Sequence, residues 1–143
     1  IVIPARMQSS RLPGKPLLKR NGITLIETVW RQCMQTGFDV FVATDHEDIA
    51  EEVNNFRGQV AMTRPETPTG SDRCAEAVYL ESYKYVVNVQ GDMPYITPEQ
   101  IVDCQSLVKQ FDVGTLIYDM DVAEQTNPNS VKCIAVKHHK IKQ

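Results

Sequence analysis

The segment from Tyr85 to Pro94, Tyr-Val-Val-Asn-Val-Gln-Gly-Asp-Met-Pro, decides the predicted fold of this chain. Its first six residues form a β-branched and nearly continuous apolar run, which is typical of a strand covered on both faces of a parallel sheet. Gly91 ends the run and leaves Asp92 just beyond it. The segment therefore predicts a central strand with a carboxylate at its carboxyl end.

Strands and helices alternate on both sides of this segment. Apolar residues at helical spacing, each set preceded by a capping residue, predict four helices. Their predicted N-caps are Thr24, Asp45, Ser71 and Thr97. Apolar runs predict further strands over residues 1–4, 38–43, 59–63, 113–120 and 130–137. The alternation predicts an α/β sandwich with a mostly parallel sheet, in which ligands bind beyond the carboxyl ends of the strands.

The composition limits the class of protein. With 143 residues, 42% hydrophobic and 23% charged, the chain is expected to be one globular domain over residues 1–143. Its net charge of −3 argues against a protein that coats nucleic acid or an acidic membrane surface. No apolar run approaches the roughly 20 residues that cross a bilayer, and no secretory signal is recognised, so a cytoplasmic location is expected. Because the chain opens on Ile1, inside an apolar run, it is expected to be a fragment.

Patterns typical of zinc sites and nucleophilic catalysis are not found in the sequence. The cysteines lie far apart without a C-x-x-C pair, so they are predicted to be buried free thiols. They are Cys33, Cys74, Cys104 and Cys133. No Ser-His-Asp or Cys-His arrangement can be argued from the sequence.

The first candidate site is a basic loop after the first predicted strand. It reads Pro4-Ala-Arg-Met-Gln-Ser-Ser-Arg-Leu-Pro-Gly-Lys-Pro16, and no acid occurs in the first 26 residues of the chain. The guanidinium groups of Arg6 and Arg11 can each bind two phosphate oxygens. Lys15 adds a compact charge, and Gly14 leaves room for a ligand beside the backbone. The loop predicts a polyphosphate site, with a solvated basic loop as the alternative.

The second candidate site is Asp92, after the predicted central strand. Mg²⁺ usually takes one or two protein carboxylates and fills its remaining positions with phosphate oxygens and water. Asp92 next to a polyphosphate site therefore predicts a magnesium site. The alternative is an aspartate that bonds its own backbone in a turn.

The third candidate site is the loop Pro65-Glu-Thr-Pro-Thr-Gly-Ser-Asp-Arg73, which opens onto a predicted helix. Residues 69–71 offer hydroxyl and backbone N–H groups at a helix N-terminus, which can bind an anion or contact a base. The alternatives are that Ser71 is a plain N-cap and that Asp72 and Arg73 form a surface ion pair of little energetic weight.

Together the three loops resemble the cytidylyltransferases, most closely the family that activates 3-deoxy-D-manno-octulosonate (Kdo). The residues that carry the resemblance are Pro4-Ala-Arg6 with Ser10-Arg-Leu-Pro-Gly-Lys-Pro16, Thr69-Gly-Ser-Asp-Arg73, and Asn88-Val-Gln-Gly-Asp92 with Pro94. The likeness covers almost the whole chain. It implies a Rossmann-like three-layer sandwich of the nucleotide-diphospho-sugar transferase type. It also implies that CTP and the sugar acid Kdo give CMP-Kdo and pyrophosphate for lipopolysaccharide biosynthesis, with Mg²⁺ as cofactor and a homodimer when full length.

The resemblance also implies roles for individual residues. The nucleotide-binding set would be Ala5, Arg6, Arg11, Lys15, Thr69, Gly70, Ser71 and Arg73. Within it, Ala5 would lie near the base, and Arg6, Arg11 and Lys15 would hold the triphosphate. Gln90 would lie near the sugar and Asp92 would bind Mg²⁺. The residues expected to be catalytic are Arg11, Lys15 and Asp92.

Two departures from the family pattern leave alternatives open. Met93 stands where the family usually has glutamate, which removes one negative charge beside the expected metal. Family members also continue past the end of this chain, so it is expected to lack the C-terminal part of the family fold. The alternatives are a nucleotidyltransferase for a different sugar acid or a molybdenum cofactor, and a truncated module that binds CTP without turnover.

Overall fold

The computed structural model describes residues 1–8, 12–79, 81–117, 119–128 and 130–133. Within these residues the strands are β1 (Val2–Ala5), β2 (Lys19–Arg20), β3 (Ile23–Thr24), β4 (Phe41–Thr44) and β5 (Gln59–Met62). The α-helices are α1 (Leu25–Met34), α2 (Glu47–Asn55), α3 (Gly70–Ala77) and α4 (Pro98–Leu107). Short 3-10 helices lie at Lys15–Leu17 and Val122–Glu124. None of the helices in this part of the chain is long and apolar enough to cross a bilayer.

The main sheet is parallel and is covered on both faces. Strand β4 lies between β1 and β5 and pairs with each of them in parallel. Successive side chains of a strand point to opposite faces. Accordingly, Ile3 and Val42 belong to the larger core with α1 and α2, while Val2 and Ala43 pack on the other face with Cys74 of α3. The three layers follow from apolar residues on both faces of β1 and β4.

The segment expected to form the central strand, residues 85–90, is not a regular strand. It lies parallel to β1 and shares a single bridge with it, between Val2 and Asn88. The amide of Val2 donates to the carbonyl of Val87 at 2.9 Å, and the amide of Val89 donates to the carbonyl of Val2 at 3.0 Å. Its far side borders an apolar groove that runs along α4. With β1 on one side and a groove on the other, the segment extends the sheet without the ladder of a central strand.

Two further strand predictions are wrong in the described residues. Residues 113–117, 119–120 and 130–133 form no strand. Tyr118 and residues 134–137, which complete these two predictions, lie outside the described part of the chain. A β-branched sequence forms a strand only when a partner supplies hydrogen bonds and packing, and Val113 is 87% exposed.

The β2–β3 hairpin was not predicted from the sequence. Its strands pair antiparallel, and Asn21 and Gly22 connect them with φ values of 53° and 82°. Positive φ at both central residues is the geometry of a type I′ turn, for which Asn-Gly is the preferred sequence. The Asn-Gly pair was therefore the signal for this hairpin.

Helix boundaries follow the side chains that cap them. The predicted caps Thr24 and Thr97 are confirmed, and Thr97 forms a complete capping box with Gln100. The caps predicted at Asp45 and Ser71 are wrong: α2 is capped by Nδ1 of His46 and α3 by the hydroxyl of Thr69. Helix α3 ends at Ala77 and helix α4 at Leu107.

The cysteines divide into two groups. Cys33 and Cys74 are buried free thiols, as predicted, whereas Cys104 is half-buried and Cys133 is exposed. Burial raises the pKa of the Cys33 thiol to about 12 and that of the Cys74 thiol to about 11.

These pKa values predict selective modification of the cysteines. Because the thiolate is the reactive form, a thiol reagent at pH 8 is expected to label Cys133 and, more slowly, Cys104 in the folded protein. Cys33 and Cys74 are expected to react only after unfolding. Peptide mapping before and after denaturation measures this, and rapid labelling of Cys33 under native conditions would contradict the buried core.

Candidate nucleotide site

A cleft lies where β1 ends and the basic loop begins. Its volume is about 590 Å³, which is within the usual range of sites for small molecules. The cleft is lined by Pro4, Ala5, Arg6, Gln8, Leu12, Lys15, Pro16, Leu25, Gln90, Gly91 and Asp92. The backbone after β1 forms one wall, and the backbone after the parallel segment 85–90 forms the other. The cleft therefore occupies the predicted position beyond the carboxyl ends of neighbouring parallel segments.

The basic loop folds back on itself to bring Lys15 into the cleft. The amide of Gly14 donates to the carbonyl of Met7 at 3.0 Å, which closes the loop. Gly14 has φ 71°, a left-handed conformation that favours glycine, and it begins the short helix that contains Lys15. Pro16 is buried in that helix and anchors it. These contacts fix the backbone from which the Lys15 side chain extends.

Lys15 and Asp92 meet across the cleft. Lys15 Nζ lies 2.6 Å from Asp92 Oδ2, although 77 residues separate them in the chain. A Cβ at Gly91 would lie 3.1 Å from the Pro4 carbonyl oxygen, so glycine lets the chain pass close to the end of β1 just before Asp92. The side chains of Lys15 and Asp92 are 37% and 53% exposed. The ion pair is therefore open to solvent and to exchange with a charged ligand.

Arg6 and Gln90 face the same cleft from its two walls. Arg6 Nη2 donates to the carbonyl of Thr67 at 2.7 Å. A guanidinium carries five N–H donors, so this bond orients Arg6 and leaves other donors for a ligand. Gln90 Nε2 donates to Asn88 Oδ1 at 2.9 Å. The cleft thus holds a fixed guanidinium, an ammonium and an amide around one carboxylate.

The N-terminus of α3 borders the cleft but offers fewer free groups than expected. The Thr69 hydroxyl and amide both donate to Asp72 Oδ2, at 2.5 and 3.2 Å. A Cβ at Gly70 would lie 3.4 Å from Pro4 and 3.7 Å from the Gln90 amide oxygen, which places Gly70 against the cleft wall. Ser71 is exposed and lines the neighbouring apolar groove instead. Of residues 69–71, Gly70 comes nearest to the cleft.

Arg73 is neither a cleft residue nor part of a surface ion pair. Its side chain is fully buried, its Nη2 lies 3.2 Å from Asp45 Oδ2, and its Nη1 donates to the Thr63 hydroxyl. Thr63 directly follows β5 and Asp45 directly follows β4, so Arg73 ties α3 to two strand ends. This contact also explains why Asp45 does not cap α2: its carboxylate turns toward a buried cation. The expectation that Arg73 contacts a nucleotide directly does not fit this geometry.

The structure brings together five of the predicted site residues, namely Ala5, Arg6, Lys15, Gln90 and Asp92. Gly70 borders them, whereas Thr69, Ser71 and Arg73 point elsewhere, and Arg11 lies outside the described residues. Sequence reasoning gave no role in the site to Thr67, although it lies in the third candidate loop, and predicted Asp45 only as a helix cap. Each gains its role from a partner distant in the chain.

Asp92 is the residue of the cleft that suits a divalent cation. In the described part of the chain, no three His, Cys, Asp or Glu side chains lie close enough to form a metal site on their own. A half-exposed carboxylate beside the basic residues Arg6 and Lys15 fits Mg²⁺, which accepts one protein carboxylate when phosphate oxygens and water complete its coordination. It does not fit a structural metal, which needs a full set of protein ligands.

A parallel α/β sheet with a basic loop and a carboxylate in the cleft beyond its strand ends is the architecture of a nucleotide-binding α/β fold. The cytidylyltransferase family matches residues 1–142, and the chain belongs to that family. It is 42% identical over 139 residues to the 3-deoxy-manno-octulosonate cytidylyltransferase of Cytophaga hutchinsonii, covering 93% of this chain and 56% of that protein. It is 43% identical over 145 residues to the protein of the same name from Vibrio cholerae, covering 96% of this chain and 57% of that protein.

Solved structures give the same result for the fold. CMP:2-keto-3-deoxy-manno-octonic acid synthetase in complex with CTP matches with a TM-score of 0.72 and 38% identity, over 76% of this chain and 46% of that one. A nucleotidyl transferase from Methanothermobacter matches with a TM-score of 0.63 and 22% identity, over 73% of this chain and 55% of that one. At this identity the match supports the fold alone. The α/β nucleotidyltransferase fold and the family expected from the sequence are confirmed. The chain spans just over half the length of these curated relatives.

Proposed function

We propose that the protein to which this chain belongs transfers a cytidylyl group from CTP to Kdo, giving CMP-Kdo and pyrophosphate. The observation that carries the proposal is the cleft in which Arg6, Lys15 and Asp92 converge, in a chain 38% identical to a CMP-Kdo synthetase solved with CTP. The two curated relatives compared above carry the corresponding name.

The nucleotide is proposed to lie along the first wall of the cleft. Arg6, Arg11 and Lys15 would hold the triphosphate, because two guanidinium forks and an ammonium match its charge and oxygen geometry. The backbone at Ala5 would pack near the base. Gly70 would contribute through the α3 N-terminus, where backbone amides favour an anion, and Thr69 would fix that helix end as its cap. Arg73 would act indirectly, by holding α3 against the sheet.

Kdo is proposed to lie at the opposite wall, near Gln90. A hydroxyl oxygen of Kdo attacks the α-phosphorus in line, a new P–O bond forms, and the bond to the β-phosphate breaks to release pyrophosphate. The hydroxyl proton leaves to solvent, since no side chain is assigned as general base. Phosphoryl transfers of this kind depend mainly on positioning and on neutralisation of charge. Arg11 and Lys15 would neutralise charge on the departing pyrophosphate.

Asp92 is proposed to hold Mg²⁺ together with the phosphates. When bound, the ion supplies positive charge that neutralises developing negative charge on the phosphate oxygens. Lys15 would then exchange its contact with Asp92 for a contact with the triphosphate. The Lys15–Asp92 ion pair would keep both side chains extended into the cleft before the substrates arrive.

Further proposals concern the location of the enzyme, its oligomeric state and its domain organisation. A reaction that consumes CTP is compatible with a cytoplasmic enzyme, and its product would serve lipopolysaccharide biosynthesis. A homodimer is proposed for the full-length protein. One domain over residues 1–143, continued by a further part of the family fold, is proposed for the organisation of the chain.

The test is release of pyrophosphate by the full-length protein given CTP, Kdo and Mg²⁺. Release is expected with this combination and is expected to fall to background when Kdo is omitted or ATP, GTP or UTP replaces CTP. Equal release with another sugar acid would change the assigned substrate. Binding of CTP without any release would contradict the proposed activity.

Replacement of Lys15 by alanine is expected to weaken CTP binding by about 10- to 100-fold, because one charge-assisted contact contributes about 1.5–3 kcal/mol. The matched control is Lys19→Ala, which removes an exposed lysine of the same basic segment, on β2. Calorimetric titration with CTP measures both. Equal weakening in the two variants would indicate a general charge effect in place of a specific contact.

A further inference from the structure

One carboxylate organises the loop between β5 and α3. Glu76 Oε1 accepts the backbone amide of Arg64 at 2.9 Å and the Arg64 Nε at 3.1 Å. Glu76 Oε2 accepts the hydroxyl of Thr67 at 2.5 Å. The Thr67 amide also donates to the Arg64 carbonyl at 3.2 Å, which closes the turn between them. Glu76 therefore holds both ends of a four-residue turn from a neighbouring helix.

The network around Glu76 keeps its carboxyl group ionised. The hydrogen bond from the Thr67 hydroxyl, followed by that from the Arg64 amide, holds the pKa of Glu76 below its usual value. An ionised carboxylate accepts on both oxygens. At neutral pH all three donors can therefore be satisfied together.

The turn ends at the atom that orients a cleft residue. Thr67 is 6% exposed, and its carbonyl accepts Arg6 Nη2 at 2.7 Å. The Thr67 side chain is therefore bonded to Glu76, and the Thr67 backbone carbonyl is bonded to Arg6. A shift of the turn would move this carbonyl and leave the Arg6 guanidinium without its fixed partner.

We infer that Glu76 is a positioning residue for the cleft, which acts through Thr67 to orient the Arg6 guanidinium toward the nucleotide phosphates. The inference rests on the proposed function, in which Arg6 holds the triphosphate of CTP. Glu76 itself lies on α3 and does not line the cleft. Its role is to remove conformational freedom from Arg6 before the ligand binds, which lowers the entropy lost on binding.

The test uses variants that separate the hydroxyl of Thr67 from its carbonyl. Thr67→Val keeps the side-chain shape and the carbonyl but removes the bond to Glu76, whereas Thr67→Ser keeps that bond. Glu76→Ala removes the carboxylate, and Glu66→Ala is the control, because it removes an exposed carboxylate from the same loop. CTP affinity is measured by calorimetry in the full-length protein, beside the ¹⁵N order parameter of the Arg6 Nε–H group without ligand.

Glu76→Ala and Thr67→Val are each expected to weaken CTP binding about fivefold and to lower the Arg6 order parameter, while Thr67→Ser and Glu66→Ala match the wild type. In an Arg6→Ala background, Thr67→Val is expected to have no further effect on CTP affinity. Unchanged affinity in folded Thr67→Val and Glu76→Ala proteins, or full additivity with Arg6→Ala, would overturn the inference. Failure of the wild type to bind CTP would instead overturn the proposed function, and the Arg6 order parameter still reports whether Glu76 fixes Arg6.

Discussion

Replacement of Asp45 by asparagine is expected to lower the free energy of unfolding by about 3 kcal/mol, because it leaves the buried Arg73 guanidinium without its carboxylate. Arg73 is fully buried, and its Nη2 lies 3.2 Å from Asp45 Oδ2. Within the described residues its Nε and Nη2 make no hydrogen bond, so only the ion pair and the bond from Nη1 to the Thr63 hydroxyl offset the loss of hydration. An uncompensated buried charge is among the most destabilising changes that one substitution can make.

The relative loss of stability in two single variants makes this prediction specific. Arg73→Met removes the buried charge itself, and the Asp45 carboxylate left behind is 20% exposed and can be hydrated. The loss of stability should therefore be smaller than for Asp45→Asn. The double variant should resemble Arg73→Met, since the two side chains act as a unit. Urea unfolding of the three variants measures the order, and an Asp45→Asn protein as stable as the wild type would show that the pair contributes nothing.

Replacement of Asp92 by asparagine is expected to reduce the rate of pyrophosphate release by at least about 100-fold, because preorganised charge at the reacting phosphates is the main catalytic contribution proposed. The substitution keeps the shape of the side chain, so the fold should be unaffected at this half-exposed position. It removes the negative charge that faces Lys15 at 2.6 Å and that is proposed to hold Mg²⁺.

The control for Asp92→Asn is Asp103→Asn, which neutralises an exposed aspartate of α4 that does not line the cleft. Steady-state rates are measured over a range of Mg²⁺ concentrations. Asp103→Asn is expected to match the wild type throughout. A wild-type rate and Mg²⁺ dependence in the Asp92→Asn protein would remove Asp92 from the proposed mechanism.

Much of the nucleotide cleft could be predicted from local sequence. A loop with three cations and no acid between apolar segments favours an anionic ligand over a merely solvated surface loop. Parallel strands place their carboxyl ends at one edge, so Arg6, Lys15 and Asp92 were expected to meet there. Lys15 and Asp92 do so at 2.6 Å. Roles for Ala5 and Gln90 came from resemblance to the family, and no physical pattern in the sequence pointed to them.

The later strands, beyond residue 84, could not be predicted from local sequence. Residues 85–90 and 113–117 were both predicted to be strands, yet neither is a regular strand in the described chain. A strand exists through its hydrogen-bonded neighbours, and whether a neighbour is present is a property of the whole sheet. Helices α1 and α4 were predicted more closely because their caps and periodicity lie within their own sequence.

The sequence by itself determined the elements whose energetics are local, namely helices α1 and α4 with their caps and the positive charge of the first loop. It also indicated β1 and β4, through apolar residues on both faces. Only the tertiary structure decided the partners of three polar side chains. Asp45 pairs with Arg73, Glu76 holds Thr67, and Thr67 orients Arg6 across 61 residues of chain. Each of these groups has alternative partners nearby in sequence, and burial selects among them by removing the competing water.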